Sequence, residues 1–103
     1  MTAEHSATKR SYLAFTTIGA GGSWARDDSP DAAVARLAKI IVSDWGSLYK
    51  LDGVEMKAGV YDVTGRDVRM GYNGVHDEAD GTEIERLELR TIKLTAKRCR
   101  RVA

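Results

Sequence analysis

The chain reads as a single α+β domain, a two-layer arrangement in which one helix covers one face of a four-stranded, mostly antiparallel sheet in the order β-α-β-β-β. Three observations predict it. A length of 103 residues holds one core and leaves no room for a second. Helical periodicity is strong once, between Ser29 and Gly46, whereas most other apolar residues alternate in steps of two. An apolar fraction of 43% with 30% charged residues is that of a globular chain. The single cysteine, Cys99, excludes an internal disulfide framework and a multi-cysteine zinc site.

Residues 1–10 are polar and small and are expected to be disordered, residues 11–95 form the domain, and residues 96–103 form a basic tail. Ser11 to Ile18 is rich in β-branched and aromatic residues and predicts the first strand. Gly19-Ala20-Gly21-Gly22 ends that strand and opens a loop carrying Trp24 and Arg26. The helix begins at Ser29-Pro30-Asp31: a side chain that accepts from a first-turn amide, a proline suited to the first position, and an acid at the positive end. Val34, Leu37, Ala38, Ile41 and Trp45 line its packed face and Arg36, Lys39 and Ser43 its wet face, and Gly46 is expected to stop it in the left-handed conformation.

The second strand follows, with Val54, Met56, Ala58 and Val60 alternating against Glu55, Lys57, Gly59 and Tyr61. Thr64-Gly65-Arg66-Asp67 predicts a tight turn that folds Val68, Met70 and Tyr72 back beside that strand as a hairpin. Asn73-Gly74 is a further turn, with a very short strand at Val75. Ile84 to Leu94 fits a helix through Ile84, Leu87, Thr91 and Leu94. A strand is preferred, with a bulge near Arg90 and Thr91 where the apolar parity changes. The sheet face away from the helix should display Glu55, Lys57, Tyr61, Arg69, Glu88 and Arg90.

The net charge of +1 hides an asymmetry. Lys93, Lys97, Arg98, Arg100 and Arg101 give the last eleven residues +5, which leaves eleven basic against fifteen acidic side chains, a net of −4, in residues 1–92. Asp77, Glu78, Asp80, Glu83 and Glu85 fall within nine positions, and their repulsion predicts an extended, solvated loop. No apolar run approaches the roughly 20 residues of a membrane span. Met1 to Arg10 lacks the apolar stretch of a secretory signal, so a cytoplasmic protein is expected.

Signatures of chemistry are thin. Gly19 to Trp24 differs from the dinucleotide fingerprint because Trp24 stands at the third glycine position and the helix starts only after Ser29. His76 to Gly81 matches half of a calcium loop, but the position of the bidentate carboxylate is Leu87. Two histidines, His5 and His76, and no serine or cysteine in a nucleophile motif argue against catalysis, and no cofactor or metal is expected. Arg98 and Arg100 favour the thiolate of Cys99, in a tail where it reads as incidental.

The remaining reading is a non-enzymatic binding protein that contacts a macromolecular protein partner. Trp24 and Arg26 are residue types enriched at binding hot spots. Tyr61 and Arg69 belong to the open sheet face, and Asp77, Glu78, Asp80, Glu83 and Glu85 offer a phosphate-like surface to a basic groove. The alternative is nucleic-acid binding through Lys93, Lys97, Arg98, Arg100 and Arg101, with Tyr61 and Tyr72 stacking on bases. An uncovered face and unpaired strand edges also allow a homodimer. Gly19-Ala20-Gly21-Gly22-Ser23-Trp24-Ala25-Arg26, followed by Ser29-Pro30-Asp31-Ala32-Ala33, resembles small uncharacterised proteins carried by phages and plasmids. That resemblance implies an accessory protein of a mobile element, such as a regulator or an inhibitor of a host nucleic-acid-processing or defence complex, and transfers no functional residue.

Overall fold

A computed structural model describes residues 9–18, 21–46, 50–71 and 74–94. The expectations for residues 1–8, for Gly19 and Ala20, for Tyr72 and Asn73, and for the tail residues Lys97, Arg98, Cys99, Arg100 and Arg101 lie outside them. The elements are β1 (Tyr12–Ile18), β2 (Gly21–Asp27), α1 (Pro30–Trp45), β3 (Glu55–Asp62), β4 (Val68–Gly71), β5 (Gly74–Asp77) and β6 (Glu88–Lys93). They form a four-stranded antiparallel sheet in the order β2-β1-β3-β6, a two-stranded sheet of β4 and β5, and one helix, so the domain is α+β.

Three of the predicted features differ. The segment after the glycines is no loop but β2, paired with β1 without a break from Tyr12↔Asp27 to Ile18↔Gly21. β4 does not pair with β3, because β1 and β6 already occupy both edges of β3; β4 pairs instead with β5. The turn at Thr64–Asp67 is present, with Gly65 at φ 74° and the Arg66 N–H on the Val63 carbonyl at 3.0 Å, and it carries the chain off the main sheet. The expected bulge near Arg90 is absent, since β6 pairs with β3 residue for residue from Glu88↔Val60 to Lys93↔Glu55. Leu87 and Leu89 never turn inward; both are exposed, and the parity change reflects two faces rather than a shifted register.

The helix begins as its sequence dictates. The Ser29 hydroxyl accepts from the Ala32 N–H at 3.1 Å, and Pro30 occupies the first turn. Ser29→Ala is expected to cost about 1 kcal/mol by urea denaturation. At the other end the helix stops at Trp45 with Gly46 as its cap, as expected, although Gly46 keeps right-handed angles, φ −64° and ψ −23°, and donates to the Val42 carbonyl. Ala33, Leu37 and Ile41 are the buried stripe. They rest on Ala14, Ala25 and Ala58, one buried alanine from each of β1, β2 and β3, whose small side chains let the helix approach the sheet. The indole N–H of Trp45 donates to the Ser23 hydroxyl at 3.2 Å, tying the helix end to β2.

A second core lies on the far side of the main sheet. Leu13, Val63, Val75 and Ile84 are buried there, with Phe15, Tyr61, Val68 and Met70 packed against them. The face predicted to be open is therefore half covered by the small sheet and the segment that follows it. No helix among the described residues is long and apolar enough to cross a membrane.

Candidate functional site

Strand parity and register decide which side chains reach the uncovered half of the far face. Ala14↔Val60 and Ala14↔Ala25 lie under the helix, so Phe15, Trp24 and Gly59, each one step away, lie on the other side. One row crosses the whole sheet there: Trp24↔Phe15↔Gly59↔Leu89. Trp24 and Leu89, at its two ends, are each 49% exposed, and Leu87, just before β6, is 58% exposed. These are the three exposed large hydrophobic residues among those described, and Trp24 and Leu89 share one face.

Within the row Gly59 is roofed rather than open. A Cβ there would stand 3.0 Å from the Tyr61 ring and 3.1 Å from Cδ of Arg86, so the glycine lets these two side chains lie flat on the sheet. Next along the face come the exposed Lys57, paired with Thr91, and then Glu55, paired with Lys93. Exposed polar side chains therefore flank the row on this side. A shallow groove of about 410 Å³ adjoins them, lined by Tyr61, Val75, Glu83, Ile84, Glu85 and Arg86.

Other residues singled out in the sequence have different places. Arg26 turns inward: its guanidinium donates to the Ser11 hydroxyl at 2.8 Å and to the carbonyls of Val63 and Arg66 at 2.9 and 2.8 Å. It clamps β2 to the connection between the two sheets. Tyr61 is half-buried, packed against the second core. Glu88 and Arg90 stand on the helix side, opposite Val60 and Ala58, and not on the far face. Arg90 reaches Asp31 at 2.7 Å and Glu88 at 3.1 Å, and these hydrogen bonds, Asp31 first, hold its guanidinium above its usual pKa. Arg69 belongs to β4, opposite His76, and pairs with Glu78 at 3.7 Å.

The acidic segment is not the extended loop expected from repulsion. Asp77 accepts from the Ala79 N–H at 2.8 Å and Asp80 from the Thr82 N–H at 2.9 Å, and Gly81 supplies φ 75°. Backbone bonds of 2.8 Å from Asp77 to Thr82 and from Ile84 to Val75 close it into a tight reversal beside β5. Arg66, 3.6 Å from Asp77, and Arg69 offset part of the negative charge. Asp77 and Asp80 act as turn acceptors, which outweighs like-charge repulsion in water. The Thr82 N–H, then its hydroxyl, holds the Asp80 carboxyl below its usual pKa. Among the described residues no three His, Cys, Asp or Glu side chains converge as a metal site.

Asp62 belongs to a polar cluster at the joint between the sheets. Its carboxylate accepts the Thr64 hydroxyl at 2.7 Å and the Thr64 N–H at 3.1 Å, with Arg10 at 3.3 Å. The Thr64 bonds, hydroxyl first, hold its pKa below the usual 3.8. A depressed folded-state pKa adds stability that is complete above the ordinary carboxylate range and is lost as pH falls through the folded value. An NMR titration should place the Asp62 midpoint below 3.8, and Thr64→Val should move it upward.

The row between Trp24 and Leu89 is the part of the candidate site that sequence reading missed. Its signal was the alternation of Gly22, Trp24 and Arg26 against Ser23 and Ala25, which marks a strand, and the shared parity of Leu87 and Leu89. No family model, curated protein or solved structure matches the chain.

Proposed function

We propose that this is a non-enzymatic binding protein whose far sheet face engages a protein partner. The observation that carries the reading is the cross-strand row ending in Trp24 and Leu89, each 49% exposed, with Leu87 beside it at 58%. Large apolar side chains held on a rigid sheet and bordered by Lys57, Thr91 and Lys93 favour a contact that buries them over a purely electrostatic one. An accessory protein of a mobile element, inhibiting or regulating a host complex, is the biological setting this reading adopts.

The alternative, nucleic-acid binding through Lys93 and the basic tail, predicts a different dependence. The two are separated by affinity capture from a lysate of the source organism, with and without nuclease, using the wild-type chain and the Leu87→Ser/Leu89→Ser variant. A protein retained in stoichiometric amount after nuclease treatment, and lost with the variant, is the expected result. Retention that disappears with nuclease, or with charge reversal of Arg98, Arg100 and Arg101, would overturn the reading in favour of nucleic acid.

A further inference from the structure

The two outer strands of the main sheet are built differently. β6 presents Glu88, Arg90 and Lys93 within six residues, and charged side chains of this kind discourage a strand edge from pairing with another chain. β2 carries no charge from Gly21 through Ala25, no proline, and an unbroken register with β1 over all seven of its residues. Its two charged side chains are turned back into the chain, Arg26 onto Ser11, Val63 and Arg66, and Asp27 toward Arg36 at 3.3 Å. Among the described residues no strand occupies the outer side of β2. A line of backbone donors and acceptors therefore runs along an edge that lacks the outward charged fringe of β6, which is the feature strand addition uses.

We propose that this edge binds the same edge of a second copy, the two β2 strands running antiparallel about a two-fold axis at Trp24, to make one eight-stranded sheet. The strand is self-complementary in that sense. With Trp24 at the centre, Gly22 faces Arg26 of the copy and Gly21 faces its Asp27, so the charged end of each strand meets the glycine end of the other. Under the helix Ser23 meets Ala25, two small side chains, while on the far face Trp24 meets its own copy and loses its exposed edge. The row from Leu89 through Gly59 and Phe15 to Trp24 then continues through both copies. This dimer goes beyond the partner-binding reading and does not rest on it.

Sedimentation equilibrium over the micromolar range tests it. The wild-type chain is expected at twice its chain mass, and Trp24→Lys, which sets two ammonium groups face to face on the axis, is expected to weaken dimerisation about tenfold or more with an unchanged circular dichroism spectrum. Trp24→Cys in a Cys99→Ser background is expected to form an inter-chain disulfide on oxidation, because directly opposed cross-strand residues lie within reach of one. A wild-type chain that remains monomeric at high micromolar concentration would overturn the proposal. So would a dimer insensitive to Trp24→Lys, or one in which Trp24→Cys fails to cross-link.

Discussion

Leu13→Ala is expected to lower the free energy of unfolding by about 3 kcal/mol, the middle of the range for a fully buried leucine. Leu13 is fully buried, lies between Arg26 and Tyr61 in register, and belongs to the core shared by the two sheets. The cavity would open where β4 and β5 rest on the main sheet rather than under the helix. Amide exchange in β5 should accordingly accelerate more than exchange in α1, and urea denaturation supplies the total. A loss below about 1 kcal/mol would mean that the small sheet contributes little to the fold.

Arg26→Ala is expected to cost about 2 kcal/mol, because three acceptors lose a charged donor and two of them are backbone carbonyls. Arg26→Lys should recover little of it, since a single ammonium group does not reproduce the planar fork that spans Ser11, Val63 and Arg66. Arg36→Ala is the contrasting variant. It breaks an exposed pair with Asp27 at 3.3 Å and should change stability by well under about 1 kcal/mol in the same denaturation experiment.

The helix was the most legible element, and for local reasons. Ser29, Pro30 and Asp31 mark its start, and Leu37 and Ile41 are buried as their spacing predicts. Elements that depend on sheet neighbours were read less well. Nothing near Val68 states that both edges of β3 are taken, so the turn at Gly65 looked like a hairpin turn when it is an exit to a second sheet. Gly21 and Gly22 looked like loop residues because local entropy argues so. In the folded chain pairing with Thr17 and Ile18 overrides that preference, and Gly22 makes room for the ring of Phe15, 3.1 Å from where a Cβ would lie.

The candidate site divided along the same line. Residue type alone marks Trp24, and the structure leaves it half exposed at one end of the cross-strand row. Residue type marks Arg26 equally, yet its guanidinium serves the fold, a distinction that rests on carbonyls about 40 residues away and has no local trace. Charge density alone misleads in the acidic stretch. Its aspartates at positions 77 and 80 act as turn acceptors, a role set by spacing to Ala79, Gly81 and Thr82 rather than by net charge.

Hydroxyl-radical footprinting of the chain, alone and bound to the protein retained after nuclease treatment, tests the binding face most directly. Leu87 and Leu89, exposed at 58% and 49%, are expected to lose reactivity on binding, while side chains of the acidic turn keep theirs. Protection confined to Asp77–Glu85 or to residues 95–103, with Leu87 and Leu89 unchanged, would contradict it.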